Sequence, residues 1–154
     1  MLDILANLLT KTDRTVRILS CKALKKVVCL IPDGIKQSVY HSILTHSIQL
    51  LDNKDLNLAS EALVFLIHLF TTCRHSETNA IPRLKDHCLL LLVSPMAQNQ
   101  EQQHIIALLQ LLCKNKHVRP KELVKFLMNY AANKGGFQEN EAKAIGKIVL
   151  ASNS

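Results

Sequence analysis

Short polar breaks recur through this 154-residue chain at nearly even intervals, and this spacing limits the possible folds more than any other feature. The breaks centre near Asp13, Asp55, Ala97 and Gly136, so the successive intervals are 42, 42 and 39 residues. Apolar stretches flank each break, and within residues 56–70 the apolar positions fall three or four residues apart, as on one face of an α-helix. The pattern predicts a series of antiparallel helix pairs that repeats along the chain.

A period of about 40–47 residues with two or three helices per unit is typical of HEAT and armadillo repeats. We therefore predict an all-α fold, an α-α superhelix of the HEAT/armadillo-like solenoid type with about four helix pairs. The prediction treats 1–154 as a single HEAT-repeat segment, with repeats at approximately 2–33, 36–73, 78–115 and 119–152. Its first and last helices are apolar, whereas the terminal repeats of a solenoid need a polar outer face. We expect the segment to be a fragment of a longer array.

Composition supports a helical, intracellular protein. Hydrophobic residues make up 48% of the chain and aromatic residues 4%, so aliphatic side chains must fill the core. Four glycines and four prolines are too few for the many tight turns of an all-β fold. The five cysteines are odd in number and mostly lie in apolar stretches, which indicates reduced thiols. The longest strongly apolar runs, such as residues 62–70, are about half of a membrane span, and we predict no membrane association and a cytoplasmic and/or nuclear location.

A short motif at the first break resembles one that is common in HEAT repeats. Asp13, Val16 and Arg17 stand at the turn between the first two helices, and Asp55 recurs at the next such turn. An aspartate at this place accepts hydrogen bonds from the free N–H groups of the helix that follows. We expect Thr12 or Asp13 to cap the second helix, with Val16 entering the core.

The sequence offers no catalytic residue, cofactor site or metal site. It lacks a GxSxG elbow, a glycine-rich phosphate loop, an HExxH pair and a CxxC pair. Cys113 and His117 are four residues apart, and Cys73 lies close to His75. Each pair supplies only two of the four ligands of a structural zinc site. We expect His68, inside an apolar helix, to be a hydrogen-bonded residue at the edge of the core.

The strongest functional signal is a basic helix. The chain carries a net charge of +7, and residues 11–26 hold six basic side chains against one acid. The possible partner-binding basic face comprises Arg14, Arg17, Lys22, Lys25 and Lys26. Their side chains could meet an acidic partner surface, and a solvated face without a partner is the alternative. Helical spacing places Val16, Leu19, Ala23, Val27 and Leu30 on the opposite side, where we expect them to face the core.

Nucleic acid ranks below protein as a partner. Binding of single strands usually relies on aromatic side chains on which bases stack, and the two tyrosines and four phenylalanines mostly fall on apolar faces. Contacts to phosphates alone would still permit a basic nucleic-acid-binding module. Other HEAT adaptors, of the nuclear transport receptor or phosphatase scaffold type, are further alternatives.

Three strings resemble the cullin-associated, neddylation-dissociated proteins, also called TATA-binding-protein-interacting proteins. These strings are LDNKDLNLASEALVFLIHLF (51–70), LKDHCLLLLVSPMAQNQEQQHIIALLQLL (84–112) and FQENEAKAIGKIVLA (137–151). The stretch around Ser94 and Pro95 and the segment from Glu141 to Ala151 carry most of the resemblance, which covers residues 35–152 and points to the later-middle part of that array.

The resemblance implies a non-enzymatic scaffold. Members of that family wrap a U-shaped solenoid around cullin–RING ubiquitin ligases, block attachment of the ubiquitin-like modifier and promote exchange of substrate receptors in SCF complex assembly. This chain is too short to encircle a cullin and lacks the family's C-terminal hairpin region. The resemblance carries no individual functional residue over to this sequence.

Overall fold

All regular secondary structure in the described part of the chain is helical. A computed structural model describes residues 2–31, 34–52, 54–73, 79–94, 99–133, 143 and 146–148, and these residues contain no strand. Seven helices have their bounds within these ranges: α1 (Leu2–Leu8), α2 (Arg14–Leu30), α3 (Gln37–Gln49), α4 (Leu56–Thr72), α5 (Ile81–Leu92), α6 (Asn99–Lys114) and α7 (Pro120–Asn133). Residues 143 and 146–148 are helical as well. The predicted fold class is confirmed as an all-helical, repeat-like fold.

Two layers of helices make up the structure. Layer A contains α1, α3, α5 and α7, and layer B contains α2, α4 and α6. Within each layer, each helix packs beside the next member, and α1, α3 and α5 also pack against the layer B helix that follows. Of the helix expected over residues 137–152, only residues 143 and 146–148 are described, and they are helical; the glycine pair at 135–136 and the break near residue 97 lie outside the described residues.

Polar contacts between helices join residues that are 36 to 45 positions apart. His46 Nδ1 lies 3.0 Å from Ala6 O, and Asn115 Nδ2 donates to Phe70 O at 3.3 Å. The other such contacts are Arg14–Asp55, Lys22–Glu61, Ser60–His104, Leu51–His87, Lys85–Glu122, Val93–Tyr130 and Gln110–Lys147. These separations bracket the 42-residue interval between polar breaks, so equivalent helices lie side by side.

Helix α4 forms the centre of the core. It packs against α2, α6 and α3, and a helix covered on three sides must be apolar over most of its circumference. Phe65, Leu66 and Leu69 have no exposed surface, and Leu63 is almost fully buried. Most other core residues are aliphatic, as the low aromatic content predicts, and Tyr40 of α3 and Phe70 of α4 are the other buried aromatic residues in the described structure.

The buried side of α2 differs from the prediction. Its buried residues are Ser20, Cys21, Leu24 and Val28, whereas Leu19 is 59% exposed and Leu30 is 80% exposed; Val16, Ala23 and Val27 are half-buried. The prediction was wrong because the apolar stripe and the buried side are separated by about one residue step, or 100° of rotation. The stripe lies on a flank of α2 that no described helix covers completely, and Ser20 can be buried instead because its Oγ donates to Val16 O at 2.7 Å.

The end of α6 shows how a tight reversal forms without glycine. Lys116 adopts a φ of 62°, in the left-handed region. Its N–H donates to Cys113 O at 3.0 Å, and the His117 N–H donates to Leu112 O at 2.9 Å. This is the Schellman arrangement, which satisfies the last carbonyl groups of a helix. The His117 ring then lies 5.9 Å from the Phe70 ring, which ties the turn to α4.

Candidate protein-binding surface

Aspartates cap the first two helices of layer B. Asp13 Oδ1 accepts from the N–H groups of Thr15 and Val16 at 2.8 and 3.2 Å, which confirms the expected cap of α2. Asp55 Oδ1 accepts from the Leu58 N–H at 3.1 Å at the start of α4. A carboxylate suits this place because it satisfies free N–H groups and complements the positive end of the helix dipole.

Arg14, which directly follows the cap of α2, binds the carboxylate that caps α4. Its Nε lies 2.5 Å from Asp55 Oδ2 and its Nη2 lies 3.2 Å from Asp55 Oδ1, so the guanidinium donates two hydrogen bonds to the carboxylate. The hydrogen bond from Arg14 holds the pKa of Asp55 below its ordinary value; partial burial opposes this shift and the Leu58 N–H adds to it. The Arg14 side chain, expected to face a partner, therefore joins α2 to α4.

Arg17 also contributes to the contact between the start of α2 and Asp55. The residue is half-buried, its Nη2 donates to Thr12 O at 3.4 Å, and its charge further lowers the pKa of Asp55. Its Nε is buried and has no hydrogen-bond partner in the described structure. Of the five residues of the predicted basic face, Arg14 and Arg17 thus lie in contacts within the chain.

The Asp55 carboxylate makes stability depend on pH in a defined direction. A folded-state pKa below the unfolded value stabilises the fold above about pH 3.9, the ordinary pKa of aspartate. This contribution is lost as the pH falls through the lower folded-state pKa. We expect wild-type stability to fall more steeply between pH 5 and pH 2 than that of Asp55→Asn, whose side chain still caps the helix.

Urea denaturation at several pH values measures this difference. Asp13→Asn is the matched control, because Asp13 caps α2 in the same way without an arginine hydrogen bond in the described structure. Equal pH profiles for the wild type and Asp55→Asn would contradict the role of the Arg14–Asp55 pair.

Three lysines of the basic face remain on the surface of α2. Lys22 Nζ lies 3.8 Å from Glu61 Oε1, and the two side chains are 57% and 35% exposed, so water screens this pair. Lys26 is exposed and Lys25 is half-buried. No ion pair of Lys25 or Lys26 occurs among the described residues. These lysines supply the positive charge that a partner could meet.

The neighbouring helices of layer B carry acidic as well as neutral side chains, since Glu61 on α4 and Glu101 on α6 are both half-buried. On α4, Val64 and His68 are half-buried, and His68 Nδ1 lies 3.0 Å from Val64 O, which confirms the expectation of a hydrogen-bonded histidine. Between α4 and α6, Ser60 Oγ lies 3.4 Å from His104 Nδ1. Helix α2 therefore contributes most of the cationic side chains of layer B, whereas α4 and α6 contribute the acidic Glu61 and Glu101.

Two other features lie away from this surface. A second basic cluster at the link between α6 and α7 is exposed, and it consists of Lys114, Lys116, Arg119 and Lys121. A cleft of about 500 Å³ opens at the C-terminal ends of α3 and α5, where Leu90, His87 and Tyr130 line it. The sequence pattern did not predict this cleft; the unbroken apolar run 88–93, longer than one buried helix face requires, is the signal that could have indicated it.

The described residues hold neither a metal-binding cluster nor a membrane-spanning helix. No group of three or more histidine, cysteine or acidic side chains there is arranged to hold a metal ion. Among the described helices, none has both the length and the apolar character needed to cross a bilayer. The surface of layer B is thus the place where charge and a broad helical surface coincide.

Comparisons with known proteins add no identification. No model of a known protein family matches this chain, and a search of curated proteins finds no match. The fold places the chain among all-helical, repeat-like proteins. The relationship to the cullin-associated proteins stays a prediction from the sequence strings.

Proposed function

We propose that this protein is a non-enzymatic scaffold that binds another protein across layer B. The observation that carries the proposal is the position of Lys22, Lys25 and Lys26 on α2, which α4 and α6 extend into one continuous helical surface. A row of parallel helices offers a broad, firm platform, and repeat proteins bind partners on such surfaces. The lysines would steer an acidic partner and set its register.

The proposed partner is an acidic surface of a cullin–RING ubiquitin ligase. In this role the protein would promote exchange of substrate receptors during SCF complex assembly, in the cytoplasm, the nucleus or both. Support comes from the strings at 51–70, 84–112 and 137–151 and from the agreement between their spacing and an all-helical, repeat-like fold. The Arg14–Asp55 junction would keep α2 and α4 in fixed relation while the lysines contact the partner.

A binding experiment with a purified cullin–RING complex tests this proposal. We expect the wild type to bind at low salt, and we expect Lys25→Glu/Lys26→Glu to weaken binding by roughly tenfold, less at high salt. Lys121→Glu is the matched control, since it removes one exposed lysine from α7. Absence of wild-type binding at low salt would remove the cullin proposal, and equal weakening by Lys121→Glu would remove the proposed surface.

Parallel titrations separate the alternatives. Binding to DNA or RNA with a steep loss of affinity as salt increases would favour a nucleic-acid-binding module. Binding to an acidic transport cargo or to a phosphatase subunit, without cullin binding, would indicate another kind of HEAT adaptor.

A further inference from the structure

A step between two helices of layer A creates the cleft beside Leu90. His87 Nδ1 lies 3.3 Å from Leu51 O, just past the end of α3, whereas α5 continues from there to Leu92. Helix α5 therefore extends beyond α3 by more than one turn, and residues of this extension line the cleft. Tyr130 of α7 lines it as well. The cleft thus lies within the row, between helices that the chain itself supplies on both sides.

The charges around the cleft are negative, although the net charge of the chain is +7. Asp52 lines the cleft, and none of its described lining residues is a lysine or an arginine. The C-terminal ends of α3 and α5 lie there too, and such an end carries a partial negative charge. The last turn of α5 holds no basic residue, and the last turn of α3 holds only His46, whose Nδ1 lies 3.0 Å from Ala6 O. The cleft therefore favours a cation.

Hydrogen-bond acceptors line the same cleft. Asp52 Oδ1 accepts from the Lys54 N–H at 3.0 Å, and Asp52 forms no ion pair among the described residues. Because the carbonyl oxygen of Leu51 can only accept, His87 Nδ1 carries the hydrogen in their contact, and the neutral ring keeps Nε2 as an acceptor. Ammonium and guanidinium groups have only donors, so they match these acceptors.

Apolar side chains set a second requirement for the ligand. Leu90 is 62% exposed, and Leu91 and Val93 line the cleft beside it. The volume of about 500 Å³ lies within the range of about 300–1,000 Å³ that is usual for small-molecule sites. A ligand with a cation at one end and a short apolar stem would contact both the acceptors and the apolar wall.

We propose that this cleft binds an organic cation, an ammonium or guanidinium group on an apolar stem of about four to six carbons. The cation would lie at Asp52 and the end of α3, and the stem would lie along Leu90. Lysine and arginine side chains have this chemistry, and so do free alkylamines. The site belongs to layer A, away from the proposed protein-binding surface of layer B, so it does not depend on the proposed function.

An NMR titration at pH 8 tests the proposal, with hexylammonium as the probe and hexanol as its neutral control. We expect hexylammonium to shift the backbone amide signals of Asp52 and Val93 at millimolar concentrations and to bind severalfold more tightly than hexanol. Asp52→Asn should weaken hexylammonium by roughly threefold to fivefold, as for an ion pair at the surface, and leave hexanol unchanged. Asp86→Asn is the matched control and should change neither, because Asp86 is exposed on α5 and does not line the cleft.

Leu90→Ser tests the apolar wall and should weaken both probes, while the remaining amide signals show that each variant is folded. A blocked glycine–lysine–glycine peptide compares the two sources of the cation. Tighter binding of the peptide would assign the ligand to a side chain of a partner protein, and tighter binding of hexylammonium would assign it to a free amine.

Three results would overturn the proposal: no binding of either cation, equal binding of hexylammonium and hexanol, or an unchanged affinity for hexylammonium in Asp52→Asn. Self-association of the chain that Asp52→Asn abolishes would also overturn it, because a second copy would then fill the cleft.

Discussion

Replacing Phe65 with alanine is expected to lower the free energy of unfolding by about 3–5 kcal/mol. Phe65 has no exposed surface and lies at the middle of α4, on the side that packs against α2. Truncation removes the transfer free energy of the ring and leaves a cavity that the surrounding helices fill only in part. Domains of this size are stabilised by about 5–15 kcal/mol, so the loss is a large part of the total.

Urea denaturation followed by circular dichroism measures this effect. The control is Leu30→Ala on α2, a side chain that is 80% exposed, for which we expect a change within about 0.5 kcal/mol. Leu30 belongs to the stripe that the sequence pattern placed in the core. A large loss for Leu30→Ala, or a small one for Phe65→Ala, would contradict the placement of α2 and α4.

Alkylation of Cys21 and Cys88 is expected to be slower in the folded protein than in the unfolded chain by on the order of a thousandfold or more. Burial raises the pKa of the Cys88 thiol from 9.0 to about 12, and burial together with the charge of Glu61 raises the pKa of Cys21 to about 12. A rise of this size lowers the thiolate fraction on the order of a thousandfold, and the thiolate is the reactive form. Cys29, in contrast, is exposed on α2.

Pulse labelling with iodoacetamide at pH 8, followed by peptide mass spectrometry, measures the five rates separately. We expect Cys29 to react first, and Cys21 and Cys88 to react only when the helices open. The same pulse in concentrated urea is the control, because unfolding should bring all five rates together. Comparable folded-state rates at Cys88 and Cys29 would contradict the buried position of Cys88.

The sequence predicts the helices well because their ends have local causes. Asp13 and Asp55 cap the helices that follow them, and α2 and α4 begin directly after them. The period follows from these same breaks, and the contacts 36 to 45 residues apart agree with it. Such features depend on side chains within a few positions of each other, so one sequence is enough to infer them.

The rotation of α2 could not be inferred in this way. A helix in a layered repeat contacts neighbours on more than one side, and the widest apolar stripe need not face the core. Arg17 and Ser20 can occupy the inner side of α2 because Arg17 donates a hydrogen bond to Thr12 O and Ser20 donates one to Val16 O. The stripe that contains Leu19 and Leu30 stays partly exposed instead, and only the positions of the helices that pack against α2 show this.

The candidate surface was predicted only in part for a related reason. Arg14 and Lys22 both lie on the side that faces α4, but only the structure shows that Asp55 and Glu61 are their neighbours. Charge within one helix indicates a basic face, whereas the acids that neutralise it lie about 40 residues further along the chain. Arg17, Lys25 and Lys26 have no ion pair in the described structure, and of these three Arg17 donates within the chain, to Thr12 O.

The spacing of contacts between equivalent helices has a mechanical consequence. A polar contact between His46 and Ala6, or between Asn115 and Phe70, fixes a helix only to the one beside it. Small rotations between neighbouring helices can therefore add up along the row. The row can change its curvature in this way while each core contact is kept. A partner that exerts force on one end would then bend the whole row slightly, with each pair of neighbouring helices contributing a small part of the bend.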